Sequence, residues 1–202
     1  MNIKNVSRIG LVICLIYFLV VVLLIVLGNN ITILLMDIIT IISGIYMVIL
    51  VMAFPIENNY GNYRILAIIF ALSCMILTNM VHWINIIAIN PMIAKGINVP
   101  DYFQIGKWPS VLMTVEYLGW GLFMGMAFLF SGYFIEKTLK FNWFLYLCGC
   151  LCLIGFFGII INENLWYIAP LGYGLGTSII CIKFLIKRPD YTSNNKNKCF
   201  GS

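Results

Sequence analysis

The segment Ile31–Phe54 reads ITILLMDIITIISGIYMVILVMAF and carries one charged residue, Asp37. Its apolar character is continuous rather than alternating, which argues against a membrane β-strand. As a helix it is long enough to cross about 30 Å of hydrocarbon, which takes about 20 mostly apolar residues. Five more segments read the same way: Ile9–Leu27, Ile65–Ile89, Ser110–Phe134, Phe141–Ile161 and Leu165–Ile186. The breaks between them are rich in turn formers, as in Gly28-Asn29-Asn30, Pro55 to Arg64, and Asn162-Glu163-Asn164. Short connections make successive helices antiparallel neighbours. The expected fold is therefore all-α: a polytopic bundle of six spans in residues 1–188, followed by a basic, Asn-rich, disordered tail at 189–202.

Composition agrees. Apolar residues make up 62% of the 202-residue chain and charged residues 9%, against about 45–50% and about 25% in ordinary globular proteins. Mean hydropathy is +1.02. So few charges cannot cover the surface of a soluble domain. Lys4 and Arg8 precede the first span in the manner of a signal peptide. The apolar run is long for one, however, and no small-residue cleavage site follows, so it reads as a retained helix.

Lys and Arg in the loops set the orientation. With a cytoplasmic N-terminus, the inner set is Lys4, Arg8, Arg64, Lys137, Lys140, Lys183, Lys187, Arg188, Lys196 and Lys198, and the outer set is Lys95 and Lys107. This predicts a multi-pass protein of the cell (plasma) membrane with both termini cytoplasmic, N-in and C-in. The net charge of +5 then reflects orientation and anionic lipid rather than nucleic acid. The expected partners are the bilayer and a small-molecule or ion ligand; oligomeric state is not encoded. The loop Asn90–Pro109 holds three prolines, which argue against a long helix there. Pro109 fits the first helical position of the fourth span, with Trp108 as its interfacial anchor.

Ionisable groups at membrane depth are costly and are by default candidates for function. Three stand out: Asp37, His82 and Glu116. Counting at about 1.5 Å per residue, each falls roughly 9–10 Å below the outer end of its span. Faces agree with depths. Thr78, Asn79, His82 and Asn85 share an arc of the third helix; Asp37, Thr40, Gly44 and Met47 line a stripe of the second; Glu116, Gly119, Trp120 and Phe123 share a face of the fourth. Tyr173 and Thr177 sit one turn apart on the sixth. Together they outline a polar pocket open to the outside and closed over by the Asn90–Pro109 loop. Its candidate ligand- or proton-binding residues are Asp37, Asn79, His82, Asn85, Glu116, Trp120 and Tyr173. The same residues also read as a structural layer, since Asn, Thr and His bonds between helices contribute about 0.6–2 kcal/mol each.

Other signals carry less chemistry. The seven Cys include Cys148, Cys150 and Cys152, which point in different directions on a helix and form no C-x-x-C, so they read as packing residues. One His in the chain argues against a zinc hydrolase, and no metal or cofactor is expected. No nucleophile-elbow, Walker or dinucleotide fingerprint is present. Gly121-x-x-x-Gly125 and Gly172-x-x-x-Gly176 have the small-residue spacing of close helix contacts, within the bundle or between copies. Gly172 to Gly176 also allows local unwinding.

Four strings, MDIITIISGIYMVILV around Asp37, NMVHWINI around His82, KWPSVLMTVEYLGWGLFMGMAFLF from Lys107 and LGYG at Tyr173, resemble a family of uncharacterised bacterial six-span integral membrane proteins. The resemblance implies six spans, a carboxylate at position 116 and no particular activity. Function is therefore expected from the polar layer: a small carrier, or a ligand- or proton-responsive protein, with His82 as titrating group. An intramembrane lipid-modifying enzyme, with Glu116 or Asp37 as base, and a structural or partner-binding subunit are the alternatives. The absence of a catalytic fingerprint leans the reading away from an enzyme.

Overall fold

A computed structural model of the chain describes residues 2–56, 60–135 and 141–186. The expected tail at 189–202 lies outside the described residues, as do Lys137, Lys140, Lys187 and Arg188. Among the described residues six long helical elements follow one another: α1 (Ile3–Leu27), α2 (Asn30–Ala53), α3 (Gly61–Ala94), α4 (Val111–Phe134), α5 (Asn142–Gly158) and α6 (Glu163–Ile186), with a single 3-10 turn, Asp101–Phe103, in the loop before α4. Among the described residues there is no β-strand; Ile56 and Ile135 form an isolated antiparallel bridge.

Local sequence explains the corners. Gly28 closes α1 at φ +53°, a left-handed conformation that suits glycine. Asn29 and Thr32 then form a reciprocal capping box, each side chain accepting from the other's backbone N–H. This is why Gly28-Asn29 reverses the chain so tightly. Each helix packs on the next in sequence and α6 returns to α1, so the six elements close into a ring. The ring is filled by Leu50, Val51, Phe54, Met124, Phe128, Phe134, Leu145 and Ile180, all almost fully buried. Its outside is apolar too, with Ile25, Ile87, Ile160 and Ile161 at least 70% exposed. Such a belt suits acyl chains and would aggregate in water.

Three expectations are refined. First, among the described residues five helices are long and apolar enough to span by themselves; the remaining one, α5, is 17 residues, about 25 Å of helix. Ile160 and Ile161, expected in that span, lie in a turn whose N–H groups bond back to Phe157 and Gly158. Second, α3 does not stop at Ile89. It runs 34 residues to Ala94, through Pro91, because a π-helical turn at Asn85–Ile89 precedes the proline. The wider turn displaces the carbonyls that the proline ring would otherwise meet. Third, Pro109 is not the first helical residue. Ser110 is the N-cap, extended at φ −137°, and its hydroxyl accepts from the Met113 N–H.

The glycine pairs pack inside the bundle. A Cβ on Gly125 would come 3.1 Å from the Gly149 carbonyl, and one on Gly172 2.5 Å from that of Cys148. Both α4 and α6 thus approach the α5 backbone through small residues. Cys148 and Cys152 are buried in this contact and Cys150 is exposed; Cys199 lies outside the described residues.

Candidate polar site

Asp37, His82 and Glu116 come together. His82 Nδ1 is hydrogen-bonded to Asp37 Oδ1 at 2.7 Å, and Nε2 lies 3.4 Å from Glu116 Oε1. One imidazole therefore joins α2, α3 and α4. The other Asp37 oxygen accepts from the Asn85 side-chain amide at 2.8 Å and from that of Asn90 at 3.4 Å. The Asp37 and His82 side chains are each 4% exposed and Glu116 17%, so Glu116 is the open side of the cluster.

A proton count follows from these contacts. Two hydrogen bonds between one imidazole and two carboxylates need two hydrogens, and a neutral imidazole brings one. The second has to reside on the ring or on a carboxyl group. The cluster is fully bonded only when it holds this extra proton.

Backbone geometry builds the site. In a regular helix, residues five apart point about 140° away from one another, at about 100° per residue. The i→i+5 turn at Asn85–Ile89 stacks Asn90 over Asn85 instead, with the Asn90 N–H donating to the Asn85 carbonyl. Both amides thereby reach the same carboxylate oxygen. Two more π-turns lie beside the other candidates: Leu118–Phe123, just after Glu116 and around Trp120, and Leu171–Leu175, around Tyr173. Such insertions are uncommon and concentrate at functional sites.

The remaining candidates fall around the cluster. Trp120 is buried and stacks on Tyr173 at 4.7 Å between ring centroids. Tyr173 continues into a ladder through Trp166, Tyr117 and Trp108, which ties α4, α6 and the preceding loop together. Asn79 does not join the cluster: its Oδ1 is buried without a hydrogen-bond partner, against the backbone of Gly44 on α2. Gly119 lets α3 and α4 close up, since a Cβ there would come 2.9 Å from Thr78 Oγ1. The loop before α4 is held down by Val99, packed among Val81, Ile89 and Leu112.

Beside the cluster, a largely apolar cavity of about 280 Å³ separates α1 from α2, α4 and α6. Its wall includes Tyr17, Trp120 and Tyr173. Tyr17 and Tyr173 both lie within electrostatic reach of Glu116. Sequence reading missed Asn90, placed in a loop, and Tyr17, on a helix without an ionised group at depth.

Among the described residues, no group of three or more His, Cys, Asp or Glu side chains is arranged to hold a metal ion. The two carboxylates take opposite nitrogens of the imidazole rather than converging on a point. No protein-family model, curated protein or solved structure matches the chain.

Proposed function

We propose that this is a six-span integral protein of the cell membrane, N-in and C-in, in which Asp37, His82 and Glu116 form an exchangeable proton site. It serves a small carrier or a ligand- and proton-responsive protein. The observation that carries the reading is the single histidine bonded on both sides by carboxylates from two other helices. Asp37 accepts on both oxygens and fixes α3 to α2. The longer contact to the more open Glu116 is where a proton enters and leaves. Its arrival completes the hydrogen bonds of His82; its departure leaves one of them without a hydrogen and loosens α4 from α3. Proton occupancy thus biases the spacing of two helices, the kind of two-state element on which carriers and sensors depend. The ten-to-two distribution of Lys and Arg supports the orientation, and α5 lies at the short end of the 17–25 residues that can span.

The test is melting temperature between about pH 5 and 10, a range that runs from the usual imidazole titration upward, for wild type and Glu116→Gln in the same nanodiscs. The two profiles are expected to differ in shape. Superimposed profiles overturn the proton site and leave the polar layer a packing device. The second reading, a lipid-modifying enzyme, is favoured by the 2.7 Å Asp37–His82 bond, the arrangement in which a carboxylate orients an imidazole base. It requires lipid turnover in nanodiscs without any gradient.

A further inference from the structure

The cavity beside the polar cluster opens sideways. Phe18 on α1 and Leu175 on α6 line it and are 63% and 61% exposed, on the surface that faces lipid. A Cβ on Gly174, at the same edge, would meet nothing within 4 Å. Opposite this mouth lie Tyr46 and Met47 of α2, 4% and 3% exposed. Molecules dissolved in the bilayer reach such a cavity directly. Its volume of about 280 Å³ is at the low end of the ~300–1,000 Å³ of ligand pockets, which suits one hydrocarbon chain and not a two-chain lipid.

The lining selects the polar end of that chain. It contains no Asp, Glu, Lys, Arg or His, so a charged headgroup would be buried there without a counter-ion. Six hydroxyl-bearing residues line it, Tyr17, Ser43, Tyr46, Tyr173, Thr177 and Ser178, and three of them already donate to a carbonyl one turn earlier on their own helix: Ser43 to Ile39, Thr177 to Tyr173 and Ser178 to Gly174. What these three present to the cavity is lone pairs. An ionised carboxylate or phosphate, which only accepts, is mismatched to these three; an alcohol, which both donates and accepts, serves them and the Tyr17 hydroxyl alike. Tyr17 and Trp120 both line this wall, and Trp120 follows Glu116 by one turn of α4, so a ligand bound here lies on the α4 face that carries the proton site.

We propose that the cavity binds a single-chain lipid alcohol drawn from the bilayer, with its chain between α1 and α6 and its hydroxyl among Ser43, Ser178 and Tyr17. The proposal rests on the ligand- and proton-responsive reading above and names the ligand class.

The experiment is photolabelling in nanodiscs with a hexadecanol analogue carrying a mid-chain diazirine, the adducts mapped by peptide mass spectrometry. Label is expected on Tyr46 and Met47, reduced at least tenfold by excess hexadecanol and little changed by hexadecane, palmitate or hexadecylamine. Gly174→Phe, which fills the mouth, should remove this label. Ser178→Leu is a second blocking variant should Gly174→Phe fail to fold, with folding checked by melting temperature. Label confined to lipid-facing residues such as Ile25 and Ile87, label that persists in both folded variants, or preferential competition by palmitate or hexadecylamine overturns the proposal. Glu116→Gln separates the two ideas. Because Glu116 does not line the cavity, the variant should keep the label on Tyr46 and Met47 whether or not its melting profile departs from wild type.

Discussion

Asp37 is the residue on which the polar cluster is strung, since it accepts from His82, Asn85 and Asn90 at once. Asp37→Leu removes the acceptor from two buried donors, His82 and Asn85, and from the half-buried Asn90, and each buried donor left unpaired costs about 1–3 kcal/mol, less where it finds another partner. Interhelical bonds in membranes average about 0.6 kcal/mol. A net loss of about 1–3 kcal/mol is therefore expected in SDS-titration unfolding, with Asp37→Asn falling between Asp37→Leu and wild type because its amide oxygen still accepts. Equal stability of all three proteins would remove Asp37 from its structural role. The three ionisable residues were legible in the sequence because charge at membrane depth is expensive enough to stand out from any apolar background. Asn79 was misplaced for the converse reason: an uncharged amide is tolerated at depth, and its position on the right arc did not fix its partner.

At the scale of the element, the spans were legible and the interruptions within them were not. Apolar periodicity reports a helix and is insensitive to one extra residue in a turn, so three π-turns left no trace in it. Pro91 was the available signal; it was read as a stop when it marks the point where the turn has already widened. Ser110, read as the first residue of the fourth span, instead sets the start of α4 as its cap. The closeness of α3 and α4 has a direct test at Gly119. A side chain there meets Thr78 Oγ1 at 2.9 Å and the Cys74 carbonyl at 3.4 Å, and the backbone atom cannot rotate away. Gly119→Val is expected to cost about 1–3 kcal/mol by overpacking and, by moving α4 outward, to make the pH–melting profile resemble that of Glu116→Gln. Gly174→Ala, which meets open space, should change neither and serves as the control.

For the whole molecule, the count of crossings decides which side each terminus faces. Five helices span by length and composition, and α5 is shorter. If α5 crosses as well, both termini lie on one side; if it does not, they lie on opposite sides. Reporters fused at residue 2 and after residue 186 are both expected to be cytoplasmic, as six crossings require, and a cytoplasmic N-terminus with an external C-terminus would reduce the bundle to five spans. The cavity was beyond sequence reading because it belongs to no single helix. It exists because α1 is held near its start, where Gly10 admits the Tyr46 ring and Val6 and Ser7 are buried, and again at Val20, while the stretch between them stands off from α6.

A chain with one histidine has a practical advantage for spectroscopy. Nitrogen-15 placed in the imidazole ring of that amino acid yields two resonances in the entire protein, and each ring nitrogen is tied to a different carboxylate. The Nδ1 signal watches the α2 connection and the Nε2 signal watches the α4 connection, in the same sample and without any further assignment. Whether one contact opens while its counterpart holds becomes a matter of which line moves.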